Sequence, residues 1–355
     1  MALLYIDGFD FQDSALRWVQ GGAANEFTYA TSTRFGAGKA LTLSTLNATS
    51  STYALKGFPA SGSIYIGAAL QVGSEGGGND PTANLFGMYT DGGSSGHIYL
   101  RRLGTNAIAL YRGNPGAGDV NNPSGTQIAV SVAGVLDSNW HYVEVYAVIH
   151  ATTGRLTVRV DGATVIDFTG NTRNGGTSTN IDGVRFRTGR YTGGSTAISI
   201  DDLYICDTAG TVNNTFLGDV RVQSMTPNAA GSSTQLTPTG SANNYANAAE
   251  VPYNNTTYNS SSTVGQRDTY ALSDLAISTT TILATQSVAH MQKSDAGTAN
   301  AKVALKSGGG VYYDATQSLG TSPTVYVQLR ETDPATSAAW TVGNANALEA
   351  GMEVA

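Results

Sequence analysis

Residues Asn139–Thr169 constrain the fold of this chain more than any other stretch. Apolar Val143 and Val145 alternate with Glu144, which is the period-2 pattern of a strand with one buried face. Asp161-Gly162 then supplies the two residues with positive φ that a type I′ turn needs. The stretch therefore predicts a three-stranded antiparallel meander. Its strands are expected at Tyr142–Ile149, Arg155–Val160 and Ala163–Phe168.

The same alternation recurs throughout the first half of the chain. It is clearest in Gly62–Val72, Gly96–Leu103, Asn106–Arg112 and Val184–Thr188. The 43 glycines suit the tight turns that must join such strands. Many short strands at short spacing are typical of a sandwich or a barrel, so the sequence predicts an all-β protein.

Ala197–Cys206 (AISIDDLYIC) is the last strand predicted in this half. Ile198 and Ile200 alternate in one phase, and Leu203 falls in the other. A slip of one residue at Asp201-Asp202 restores a single buried face, so the pattern predicts a β-bulge there.

Several of these features together resemble one fold. Trp140 precedes an alternating strand, the next strand ends in Val160-Asp-Gly, and the final strand contains Ile200-Asp-Asp-Leu. The opening Asp7-Gly-Phe-Asp10, with Trp18 nearby, is similar to the first strand of the same fold. This is the concanavalin A-like, or laminin G-like, jelly-roll sandwich, and the resemblance covers residues 1–206. Lectins, glycosidases and structural modules share it, so it implies no single function.

The pattern changes after Cys206. Residues 207–262 are rich in Asn, Thr, Ser and Gly, and Phe216–Val222 is the one strand predicted among them. So long a stretch without periodicity predicts an extended linker or arm. We expect it to become ordered only against a neighbouring subunit.

Alternation returns in residues 263–355, which predict a smaller β-sandwich. Its strands are expected at Arg267–Leu275, Thr281–Lys293, Ala301–Lys306, Gly310–Tyr313 and Thr324–Leu329. Asn344–Glu349 predicts one helical turn before a last strand at Gly351–Val354.

Four segments of the second half resemble a tail segment common in virion proteins of tailed bacteriophages. They are Phe216–Val222, Ser262–Asp268, Asp295–Thr298 and Leu348–Val354. In that family the segment often follows a laminin G-like domain. The resemblance implies a virion structural protein, associated with the tail or a fibre or decorating the capsid, and located in the virion after assembly in the host cytoplasm. Its partners would be other virion proteins and further copies of itself, with a trimer as the expected homo-oligomer.

Charge and hydropathy exclude other classes of partner. The chain has 19 Lys+Arg against 26 Asp+Glu, a net charge of −7. It offers no basic footprint for nucleic acid, and no apolar stretch approaches the roughly 20 residues of a membrane span. Cys206 is the single cysteine and lies in an apolar strand, which predicts a small buried hydrophobe.

The sequence contains no recognisable catalytic motif, which predicts that the chain is not an enzyme. Glycosidases need a pair of carboxylates, and the first half lacks the closely spaced acids that concanavalin A-like hydrolases carry on one strand. Glu144 is the one candidate, and the alternative is a solvent-facing strand residue. A glycoside hydrolase is therefore disfavoured, and no catalytic residue is assigned.

Four aspartates form a possible structural calcium site. Asp7 and Asp10 lie at the first strand, and Asp201 and Asp202 lie on the last. The first and last strands of this fold usually pair, and calcium prefers several carboxylate oxygens. The alternative is that these acids accept hydrogen bonds from backbone amides at strand ends. No other cofactor is expected.

Five side chains predict a possible glycan site. Tyr99 and Arg101 face opposite to Ile98 and Leu100, so they lie on the outer side of a strand. Neighbouring strands add further aromatic and basic groups, namely Tyr111, Arg185 and Arg187. If this face is concave, it forms a shallow polar-aromatic groove that a host-surface glycan could enter. The alternatives are a solvated face and a subunit contact, so glycan recognition stands as an alternative to a purely structural role.

Overall fold

The computed structural model describes residues 2–22, 26–31, 34–35, 38–44, 52–73, 83–114, 124–188, 197–276 and 281–355. They are nearly all β, which confirms the predicted fold class. The chain divides into two compact units, the first of Met1–Asp10 and Arg17–Val222 and the second of Phe11–Leu16 and Gln223–Ala355. In the described part of the chain, no helix is both long and apolar enough to cross a membrane.

The first unit is built of short antiparallel strands. They are β1 (Leu3–Asp7), β2 (Val19–Gly21), β3 (Phe27–Thr31), β4 (Lys39–Ser44), β5 (Tyr53–Ser61), β6 (Ser63–Val72), β7 (Ala83–Thr90), β8 (Ser95–Arg102), β9 (Ile108–Arg112), β10 (Thr126–Val130), β11 (His141–Val148), β12 (Gly154–Val160), β13 (Ala163–Gly170), β14 (Ile181–Arg187) and β15 (Ala197–Asp207). One helical turn, α1 (Ser14–Arg17), follows β1 in the chain, and its residues up to Leu16 belong to the second unit.

These strands form two sheets. One has the order β13-β12-β11-β6-β15-β4-β3, with β1 also paired to β15. The other, the seven-stranded sheet, has the order β10-β9-β8-β7-β14-β5-β2. Alternating apolar residues from both sheets meet in one core, such as Val143 and Ile66 from the first and Leu100 and Phe186 from the second. This is the sandwich that the meander predicts.

Local details of the predicted strands are also confirmed. Asp161 and Gly162 have φ of 50° and 81° and join β12 to β13. The pairing of β15 with β6 shifts register between Asp201 and Tyr204, and Asp202 has φ of 50°. The bulge therefore lies where the phase of apolar residues changes.

Residues 215–222, called here the covering segment, lie against the outer face of the first sheet. The Phe216 ring contacts Tyr65 and Tyr146 at centroid distances of 5.0 and 6.5 Å. The amide of Gly218 donates to Glu144 Oε1 at 2.9 Å. The predicted strand at Phe216–Val222 is wrong: these residues are irregular, because their amides bond to side chains rather than to a neighbouring strand.

The second unit contains the remaining elements. They are β16 (Pro227–Thr234), β17 (Thr237–Thr239), α2 (Asn244–Ala248), β18 (Tyr258–Ser260), β19 (Arg267–Leu272), β20 (Thr285–Met291), β21 (Asn300–Ser307), β22 (Gly310–Tyr313), β23 (Gln317–Ser318), β24 (Thr324–Arg330), α3 (Val342–Asn346) and β25 (Glu349–Val354). The largest sheet has the order β16-β19-β25-β21-β22, with β23 paired to β21, and the pairs β17-β18 and β20-β24 form two small sheets. Met291 of β20 packs on Ala301 and Val303 of β21, so two layers meet there.

The segment predicted as a linker, residues 207–262, differs from an extended arm. Residues 207–222 belong to the first unit and residues 223–262 to the second. In the second unit, buried Asp268 accepts hydrogen bonds from the amides of Gln235 and Leu236 and from the Asn244 side chain. Polar side chains therefore order this stretch, which explains why it has no apolar periodicity.

Candidate functional site

The outer face of the seven-stranded sheet carries the predicted glycan residues. Ile98 and Leu100 of β8 point into the core, so Tyr99 and Arg101 point away from it. The same alternation in β14 buries Phe186 in the core and places its neighbours Arg185 and Arg187 on the outer side. The structure thus places all five predicted residues, Tyr111 included, on one sheet face.

Strand register aligns part of this set in one row. The row runs across four neighbouring strands. In order, it contains Tyr111 of β9, Tyr99 of β8, Gly87 of β7 and Arg185 of β14, and each residue is paired with the next. The Tyr99 and Tyr111 rings stack with centroids 5.1 Å apart and 13° between their planes. A Cβ on Gly87 would come within 3.1 Å of both Tyr89 Cε2 and Tyr99 Cβ. The missing side chain therefore gives the Tyr89 ring room beside the row.

Arg185 is held between two aromatic rings. Its guanidinium carbon lies 4.3 Å from the centroids of both Tyr53 and Tyr89. One terminal nitrogen donates to the Gly93 carbonyl at 2.5 Å. Cation–π contacts of this kind orient the guanidinium plane. Sequence reasoning missed Tyr53 and Tyr89, although their strands also alternate, because nothing in the chain marked β5 and β7 as neighbours of β14.

The centre of the face is more closed than the predicted shallow groove. The exposed fractions of Tyr99, Arg101 and Arg187 are 1%, 4% and 6%, whereas Arg185 and Tyr53 are half-buried. Burial raises the pKa of Tyr99 to about 12 and lowers the pKa of Arg187. The open groove is therefore wrong for the centre, and access is confined to the Arg185 end.

Two buried polar atoms at that end have no hydrogen-bond partner in the described residues. They are the Tyr89 hydroxyl and Arg185 Nε. Burial raises the pKa of Tyr89, and the charges of Arg185 and Arg187 partly offset this rise, so the hydroxyl stays protonated at neutral pH. Leaving a buried donor unsatisfied costs about 1–3 kcal/mol. A ligand or water that accepts from both groups would remove that cost.

His97 lies on β8 near the same face. Burial lowers its pKa, so the ring is neutral at pH 7. Its Nδ1 lies 3.4 Å from the amide of Asn174, and its Nε2 is buried without a partner in the described part of the chain. The sequence predicts no role for His97, because a lone histidine in a strand has no distinguishing pattern.

Asp7, on the first strand, is surrounded by hydrogen-bond donors. Its Oδ2 accepts from the Tyr5 hydroxyl at 2.9 Å and from Trp18 Nε1 at 3.0 Å. Its Oδ1 accepts from the amide of Phe9 and pairs with Arg17 Nη2 at 3.0 Å. Four donors already surround this carboxylate and hold the Trp18 ring in the core.

The other three predicted ligands are occupied in similar ways. Asp10 accepts from the amide of Lys39, Asp201 from the amide of Asp202, and Asp202 from Arg34 and from the amide of Val222. Within the described ranges, no three His, Cys, Asp or Glu side chains are grouped so that they could hold a metal ion. All four aspartates accept hydrogen bonds from backbone amides, as the alternative expects, and the calcium site stays a prediction.

Glu144, the one candidate catalytic carboxylate, is 1% exposed. Its Oε1 accepts from the Tyr204 hydroxyl at 2.5 Å and from the amide of Gly218. The solvent-facing alternative is therefore wrong, because the covering segment lies over this residue.

No family model matches the chain, and no curated protein matches it. Solved structures do resemble it, among them a sialidase (13% identity, TM-score 0.37, covering 58% of this chain and 18% of the sialidase). A second is the alginate lyase Aly36B, with 15% identity and a TM-score of 0.38, covering 58% of this chain and 93% of the lyase. A third is the cellulose induced protein Cip1, with 12% identity and a TM-score of 0.42, covering 60% of this chain and 100% of Cip1.

The β-sandwich of the first unit rests on its own two sheets, because each of these TM-scores is below 0.5. The prediction that the chain is not an enzyme is contradicted, because a sialidase and an alginate lyase are among the structures that resemble it.

Proposed function

We propose that the first unit binds a carbohydrate at the Arg185 end of the outer face of the seven-stranded sheet. The observation that carries this proposal is the Tyr53–Arg185–Tyr89 stack, a half-buried guanidinium between two rings with unpaired donors beside it. Glycan recognition therefore takes precedence over a purely structural role.

The chemistry of this end suits a sugar. Saccharides present hydroxyl oxygens that accept hydrogen bonds, and ring C–H faces that pack on aromatic carbon. Arg185 Nε and the Tyr89 hydroxyl are donors at a site where bulk water has limited access. Small-molecule sites commonly combine such aromatic walls with a few polar groups. The half-buried Tyr53 and Arg185 leave a route of approach that Tyr99 and Arg101 do not.

A glycan array probed with the full-length chain tests this proposal. We expect binding to at least one class of saccharide, and loss of that binding in Arg185→Ala. Arg155→Ala is the matched control, since Arg155 lies on β12 in the other sheet and its ion pair with Asp167 is exposed. An array without signal, or equal loss in both variants, would contradict the proposal.

We further propose that the protein is carried on a bacteriophage particle, with other virion proteins and further copies of itself as partners. Two of the four segments that resemble the phage tail segment support this. Ser262–Asp268 and Leu348–Val354 meet in one sheet, where Arg267 lies opposite Glu353. Antibody labelling of intact particles by electron microscopy tests it, and unlabelled particles would argue against it.

A further inference from the structure

Building on the proposed carbohydrate site, on which this step depends, we infer that its ligand is an anionic saccharide. The saccharide would carry carboxylate or sulfate groups, one of which would be bound by Arg185. Neutral sugars would bind more weakly at the same place.

The charges on the sheet face support this class of ligand. One row of paired positions crosses the sheet from β10 to β5 and consists of Gln127, Tyr111, Tyr99, Gly87, Arg185 and Leu55. Beside it, Ala109 and Asn84 flank Arg101, and Tyr53 lies opposite Arg187. These positions carry three guanidinium groups and no carboxylate. Arg185 is the half-buried guanidinium among them, and its charge favours an anionic ligand at that end.

Asp182 is the acidic residue of β14. Its Oδ2 accepts from the amide of Gly92 at 3.0 Å, so this carboxylate is held by the turn after β7. The Arg185 guanidinium is held by the next residue of that turn, through the Gly93 carbonyl. Arg185 thus donates to a neutral carbonyl, while Asp182 Oδ2 accepts from a backbone amide and Asp182 Oδ1 has no partner in the described residues.

The unpaired groups are also matched to an anion. Arg185 Nε can only donate, and the Tyr89 hydroxyl is protonated and available to donate. A guanidinium binds a planar carboxylate or a sulfate through parallel hydrogen bonds, and these are shorter and stronger than bonds to a hydroxyl. Low solvent access strengthens them further. A neutral sugar hydroxyl would satisfy the same donors with less energy.

Isothermal titration of the full-length chain tests this inference with three probes of similar length. They are a polyuronate hexasaccharide, a sulfated hexasaccharide and a neutral glucan hexasaccharide. We expect one or both anionic probes to bind at least about tenfold more tightly than the neutral one, as charge-assisted hydrogen bonds imply. Comparing the affinity for the polyuronate with the affinity for the sulfated hexasaccharide then shows whether the site prefers carboxylate or sulfate groups. Raising the salt concentration should weaken the anionic complex.

Two variants assign that preference to Arg185. Arg185→Gln should lower affinity for the anionic probe at least about tenfold, while Arg155→Gln should leave it unchanged. Thermal melting of each variant establishes that it is folded. Should Arg185→Gln unfold, Tyr89→Phe replaces it, since it removes only the hydroxyl and should weaken anionic binding.

The outcomes separate this inference from the proposed function. Equal or tighter binding of the neutral probe would overturn the anionic class and leave the carbohydrate site standing. Tighter binding of an anionic probe that is insensitive to both Arg185→Gln and Tyr89→Phe would also overturn it. Failure of all three probes, together with a silent glycan array, would overturn the carbohydrate site itself.

Discussion

Replacing Tyr204 with phenylalanine tests how the covering segment is held on the first sheet. The Tyr204 hydroxyl donates to Glu144 Oε1 and accepts from the amide of Leu217 at 3.2 Å. Tyr204 and Glu144 are both 1% exposed, so water is poorly placed to substitute. The variant keeps the ring and its stacking on Tyr142, and it removes only the oxygen.

The expected destabilisation follows from the two lost hydrogen bonds. A bond to a charged group contributes about 1.5–3 kcal/mol and one between neutral groups about 0.5–1.5 kcal/mol. Gly218 still donates to Glu144 Oε1, so this oxygen keeps one hydrogen-bond donor. We therefore expect Tyr204→Phe to lower the free energy of unfolding of the first unit by about 2–4 kcal/mol.

Urea unfolding followed by tryptophan fluorescence measures this change, because Trp18 is buried in the core of the first unit and contributes to the signal. Tyr146→Phe is the control, because its half-buried ring stacks on Tyr65 and no hydrogen bond of its hydroxyl occurs in the described ranges. We expect the control to change stability by less than about 0.5 kcal/mol. Equal effects of the two variants would refute the role given to the Tyr204 hydroxyl.

Three further outcomes are expected. Burial opposes protonation of His141, but its hydrogen bonds to Asp161 and Asp137 outweigh this effect and raise its pKa. The stability that these bonds add is present below about pH 6.5 and is lost as pH rises through the raised pKa. A plot of melting temperature against pH should therefore show a step in the unmodified protein that is missing in His141→Asn. Phe216→Ala should lower the free energy of unfolding of the first unit by about 1–3 kcal/mol in urea, because the half-buried Phe216 ring contacts Tyr65, Tyr146 and Arg159. An unchanged free energy of unfolding would contradict this packing. EDTA should leave the melting temperature of the protein unchanged, because hydrogen-bond donors already contact Asp7, Asp10, Asp201 and Asp202. A marked fall in melting temperature with EDTA would instead indicate a bound cation.

Much of the first unit could be predicted from local patterns. Alternation in β11, β12 and β15 specifies which side chains are buried, and the phase change at Asp201-Asp202 locates the bulge. Each of these features depends on residues close in the chain, so a sequence reader can see it.

The covering segment could not be predicted in the same way. Phe216–Val222 alternates like a strand, but Gly218 and Val222 donate to Glu144 and Asp202, which are far away in the chain. The same limit applies to residues 223–262, whose order depends on the distant carboxylate of Asp268. Contacts between residues that are far apart in the chain produce no periodic pattern in the sequence, so they cannot be predicted from it.

The candidate site could likewise be predicted only in part. The sequence by itself determined that Tyr99, Arg101 and Arg185 point out of the core, because side chains alternate along a strand. Only the tertiary structure decided that β14 lies between β7 and β5, so that Tyr89 and Tyr53 enclose Arg185. The order of strands in a sheet is set by packing of the whole core, and it determines which outward side chains become neighbours.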